Sequence, residues 1–78
     1  MPTVLRLSGL RFFFYSLEGS EPPHIHVEQN DKVAKFWLEP VRLERSGGFS
    51  RGEINRIQKL VEKRLEALMR SWNEYFES

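Results

Sequence analysis

The apolar positions of this chain change period near residue 50. Before it they fall in short runs bounded by turn residues, and after it they recur at steps of three and four. Five runs read as strands, over about residues 3–7 (TVLRL), 11–16 (RFFFYS), 24–29 (HIHVEQ), 33–38 (VAKFWL) and 41–44 (VRLE). Ser8-Gly9 marks a tight hairpin between the first two. Leu17 to Pro23 (LEGSEPP) cannot continue a strand, because it combines Gly with two prolines that lack an N–H. Gln29 to Lys32 reads as a turn, and Pro40 separates the last two runs. Beyond Gly47-Gly48, Ser50 and Glu53 have the spacing of a capping box. Ile54, Ile57, Val61, Leu65, Leu68, Trp72 and Tyr75 then form one helical stripe, predicting a helix over about 51–76. Each element needs a partner for its apolar side. The expected fold is therefore α+β: an antiparallel meander of four to five strands with one long C-terminal helix packed on one face, in a single domain over 1–78.

In a strand, residues two apart share a face. Ile25 and Val27 then lie with Ala34, Phe36 and Leu38 under the helix. His24, His26 and Glu28 point the other way with Val33, Lys35 and Trp37, joined by Arg42 and Glu44. The run Phe12-Phe13-Phe14-Tyr15 puts rings on both sides. One helix covers one face, so the histidine face is expected to stand open: aromatic, basic and suited to a partner.

Composition narrows the chemistry. The chain has 78 residues, ten of them aromatic, and no Cys, which excludes a disulfide scaffold, a thiolate zinc site and a Cys nucleophile. Twelve Lys and Arg against eleven Asp and Glu leave +1, so overall charge does not argue for a nucleic-acid or membrane partner. No apolar run approaches the ~18 residues of a membrane span, and Met1-Pro2-Thr3 does not read as a signal peptide. A cytoplasmic setting is expected. The helix is electrically uneven: residues 50–64 carry five bases against Glu53 and Glu62 (+3), whereas 65–78 carry Arg70 against three acids (−2). That polarity opposes the usual preference of helix ends and points to use of the basic half, although a solvated charged face accounts for it too.

Three readings of the histidine strand stay open. His24 and His26 stand roughly 6.6 Å apart along a strand, so both rings can reach one divalent metal, with Glu28 as a third ligand. Alternatively, the two rings serve as base and acid for cleavage of RNA at a 2′-hydroxyl, with Glu28 orienting His26 and Lys35, Arg42 or Arg11 stabilising the phosphorane. Or the histidines are structural.

Several segments resemble a family of small bacterial proteins whose domain has no known function. They are MPTVL at the start, RFFFYS at 11–16, EPPHIHVE at 21–28, AKFWL at 34–38 followed by Pro40-Val41, and WNEYF at 72–76. PPHIHV is the most specific of them, and the resemblance spans nearly the whole chain. It implies a bacterial cytoplasmic protein with a small protein partner, since such genes often neighbour a second small gene and have been grouped with toxin–antitoxin components. It transfers no catalytic residue. The leading expectation is a toxin–antitoxin-type component whose open sheet face binds RNA or a small partner, with endoribonucleolytic cleavage at His24, His26 and Glu28 and binding through Arg11, Lys35, Trp37 and Arg42. The alternative is a non-enzymatic interaction module, antitoxin-like, adaptor or self-associating. The third is a small metal-dependent hydrolase.

Overall fold

The computed structural model describes residues 3–77; Met1 and Pro2, which open the resembling segments, lie outside them. Five strands form one antiparallel sheet in chain order: β1 (Thr3–Leu7), β2 (Leu10–Phe13), β3 (His24–Gln29), β4 (Lys32–Leu38) and β5 (Val41–Arg45). The meander follows from its connections. Ser8 and Gly9 both take positive φ, the geometry of a two-residue hairpin turn whose twist matches the strands it joins. Asn30-Asp31 and Glu39-Pro40, the latter with a cis peptide, close the next two hairpins. Only β2 and β3 are joined by a long segment, residues 14–23, and β2 ends at Phe13 rather than continuing to residue 16.

The expected helix is present as α1 (Arg51–Lys63) and α2 (Leu65–Glu77), interrupted at Arg64, where ψ opens to 14°. A straight 27-residue helix would run about 40 Å, longer than the 36 Å long axis of the molecule. The buried stripe stays in phase across the break, through Ile54, Ile57, Val61, Leu68 and Trp72. At the N-terminus the Ser50 hydroxyl accepts from the Glu53 N–H at 3.1 Å, and the Glu53 carboxylate accepts from the Ser50 N–H at 2.8 Å, closing the capping box.

The core lies between this stripe and one sheet face, where Leu10, Phe12, Ile25, Val27, Ala34, Phe36 and Leu38 are all buried. Phe14, just past β2, turns into the same core against Trp72 and Phe76. Among the described residues no helix is long and apolar enough to cross a membrane.

Candidate functional site

Register builds the other face in rows. Arg6, Arg11, Glu28 and Val33 align across β1 to β4; Phe13, His26, Lys35 and Arg45 align across β2 to β5; His24, Trp37 and Arg42 form the third row. The faces are thus as alternation predicts, but the histidines are not open to solvent. His24 is 0% and His26 3% exposed. The physical reason is the β2–β3 connection, which folds back over this end of the sheet as a strap. It approaches α2 so closely that a Cβ on Gly19 would stand 2.6 Å from the Phe76 ring. The rings of Phe13, beside it on β2, and Tyr15 flank His26 at 5.3 and 4.9 Å, while Trp37, beside it on β4, and Trp72 of α2 flank His24 at 5.8 and 4.9 Å.

The strap delivers a carboxylate. Glu18 Oε1 lies 2.8 Å from His24 Nε2 and 3.0 Å from His26 Nε2, and it also accepts from the Tyr15 N–H at 3.0 Å. His24 Nδ1 lies 3.0 Å from the Pro22 carbonyl, which can only accept, so Nδ1 carries a proton and Nε2 is the nitrogen presented to Glu18. Counting donors, one proton must lie between Glu18 and His24 Nε2, because a bare carboxylate and a bare ring nitrogen cannot bond each other. The group is a single coupled unit.

Two of its members are electrostatically displaced. Burial pushes His26 below the usual imidazole range, outweighing the neighbouring Glu18 carboxylate, which raises it. Burial drives Glu18 upward, but hydrogen bonds from His24, Tyr15 and His26 together outweigh it and hold the carboxyl below its ordinary range. Lys35, 9% exposed, borders the group, donating to strap Glu21 at 2.9 Å with its ammonium 4.7 Å above the Trp37 ring.

Glu18, His24 and His26 could hold a metal ion: one ligand atom from each lies within 4.8 Å of the others. A tetrahedral ion at about 2.1 Å spaces its donors by about 3.4 Å, so the observed 2.8 and 3.0 Å need only a small outward adjustment. The Nδ1–H of His24 on a backbone carbonyl is the support that a ligating imidazole ordinarily has.

The other expected residues are distributed as follows. Glu28 shares the histidine face but not the cluster: β2 sets Arg11 directly opposite, and the guanidinium takes the carboxylate at 2.7 and 2.8 Å. Arg11 also covers the Phe13 ring at 4.1 Å. Trp37 is half-buried beside His24, and Arg42 is exposed next to it on β5. Arg6, Arg42 and Arg45 are exposed on this face and make no ion pair among the described residues. The residue that sequence reasoning missed is Glu18, with Glu21 behind it. Their one signal was position: two acids in a loop that must return over the strand bearing His-x-His.

No curated protein and no solved structure matches this chain. One protein family does, over residues 9–73, which take in β2 to β5, the strap, α1 and most of α2. The chain belongs to that family, DUF4160, a domain of unknown function.

Proposed function

We propose that this chain binds one divalent first-row metal ion at Glu18, His24 and His26, and that it hydrolyses RNA across the uncovered sheet face, as the toxin-type member of a toxin–antitoxin pair. The observation that carries this reading is one carboxylate oxygen within hydrogen-bond reach of two imidazole Nε2 atoms, with His24 held by Pro22. Three protein ligands leave a coordination position free, the arrangement that brings a bound water toward neutral pKa and polarises a phosphoryl oxygen. In the hydrolysis a water oxygen adds to phosphorus, one P–O bond to ribose breaks, and the water's proton ends on the departing oxygen.

The surrounding residues suit that substrate. Lys35 places a positive charge beside the site. Arg6, Arg42 and Arg45 lie across the same face for phosphates, and the half-exposed Tyr15 ring and Trp37 offer planes for bases. A cation-bearing face on a chain of +1 is local concentration rather than overall excess. Metal ligation also fits the geometry better than free acid–base work by the histidines. In-line transfer needs base and acid on opposite sides of phosphorus, and here both Nε2 atoms converge on one oxygen.

The test is calorimetric titration of chelator-stripped protein with Zn²⁺ and with Mn²⁺, followed by incubation of the loaded protein with end-labelled RNA. One ion per chain is expected, with binding lost in Glu18→Gln and His26→Ala and RNA cleaved by the loaded wild type alone. Absence of binding by either ion, or binding unchanged in Glu18→Gln, overturns the metal centre. Loaded protein that binds RNA and leaves it intact overturns the hydrolysis in favour of an interaction module.

A further inference from the structure

A second surface lies at the opposite end of β3. Between the Ser8–Gly9 turn, the end of β3 and α1 there is a cleft of about 360 Å³. Its floor is apolar: Leu10, Phe49 and Ile57 are 7, 6 and 3% exposed, and Leu60 lies half-buried beside them. Its lip is cationic. Arg56 and Lys59 are exposed and make no ion pair among the described residues. The only acid in the lining, Glu53, is already occupied, accepting from the Ser50 N–H and from Lys32 Nζ at 3.2 Å.

Apolar floor and cationic lip together specify the ligand's chemistry. Phosphates alone would leave the floor wet, and a neutral apolar side chain would leave the lip unused. The positive stripe also outruns the cleft, because Arg56, Lys59 and Lys63 follow at steps of three and four along about 10 Å of α1. A compact small molecule spans less than that. We infer that the α1 cleft is a docking groove for an acidic amphipathic segment of a partner protein, an apolar side chain seated over Leu10, Phe49 and Ile57 and carboxylates meeting Arg56, Lys59 and Lys63. This is helix-in-groove recognition with charge supplying orientation. It explains the reversed polarity of the helical region: the basic residues stand at the N-terminal half because the partner's acids meet them there. The inference stands apart from the histidine site, whose His26 and His24 lie about 10 and 16 Å along β3 from Gln29 in the cleft.

Fluorescence anisotropy of the full chain tests it with three labelled probes: an amphipathic Leu/Glu peptide of roughly 15 residues, its Leu/Lys counterpart, and an oligouridylate of similar length. Saturable binding of the Leu/Glu peptide is expected below about 100 µM, weakened at least about tenfold in Arg56→Glu/Lys59→Glu and in Leu60→Ser. All three positions are on the cleft's outer side, and unchanged thermal unfolding of the charge-reversal variant separates lost docking from lost folding. Equal binding of the Leu/Lys peptide, binding indifferent to the charge reversal, or no saturable binding overturns the inference. So does oligouridylate that competes for the same residues, and so does self-association in sedimentation that the charge reversal abolishes, which would make a second copy's acidic α2 the occupant.

Discussion

Replacing Glu18 in two ways separates the carboxylate's charge from its hydrogen bonding. In Glu18→Gln the side-chain oxygen in the Oε1 position still accepts from the Tyr15 N–H and from His26 Nε2–H. The amide nitrogen takes the Oε2 position, which approaches only His26, so His24 Nε2 keeps its bond to the oxygen only by donating a proton to it. The Tyr15 and His26 bonds survive and the His24 bond loses its carboxylate partner, so the metal-free cost is about 1–2 kcal/mol. Glu18→Ala loses all of them. Two ring nitrogens are left without a partner on side chains that are 0% and 4% exposed, at about 1–3 kcal/mol each. Glu18 itself is 18% exposed, so water enters the vacated space and recovers part of this. The net expected loss is about 2–4 kcal/mol, a fall in the thermal midpoint on the order of 10–25 °C for a domain this small. Urea unfolding with chelator present, at matched slopes, measures both variants. Equal loss in Gln and Ala would show that the charge itself sustains the fold, and an Ala cost under about 0.5 kcal/mol would show that the cluster does not hold the strap. Either result refutes the reasoning.

Further expectations follow from particular contacts. His26 sits below its ordinary 6.5, and Glu18 and Glu53 below 4.5. All three are depressed, so the unfolded chain binds more protons, and their stabilisation is complete above about pH 6.5 and is lost on acidification. The metal-free thermal midpoint should decline first through His26 and again below about pH 4.5; a midpoint rising between these values would contradict the assignment. Ser50→Ala removes the hydroxyl half of the capping box and should cost about 1 kcal/mol by urea midpoint. Gly47→Ala should cost more than about 3 kcal/mol, because φ is +62° and a Cβ would stand 1.7 Å from the Val33 carbonyl oxygen; a cost no larger than that of Ser50→Ala would show that this loop yields freely.

Much of the architecture was legible because it is periodic. Alternation in β3 and β4 sorts Ile25, Val27, Ala34, Phe36 and Leu38 from His24, His26, Lys35 and Trp37, and the structure keeps that sorting. Periodicity says which side a residue faces, not what lies above it. The histidines are buried by residues 14–23, which carry no period, and the loop's carboxylate reaches them through a fold-back that spacing does not encode. Glu28 lies on the histidine face as expected, yet β2 places Arg11 across from it, a pairing set by strand register between residues seventeen apart in the chain. The interruption at Arg64 left no mark either, since Arg is a good helix former and no Gly or Pro is near.

The enclosure of His24 has a spectroscopic consequence. The chain contains two tryptophans, and both indole rings lie against that one imidazole. A positively charged imidazole quenches indole emission and a neutral or ion-ligated ring quenches it differently, so the entire tryptophan fluorescence of the protein is a built-in, label-free gauge of what His24 Nε2 is holding.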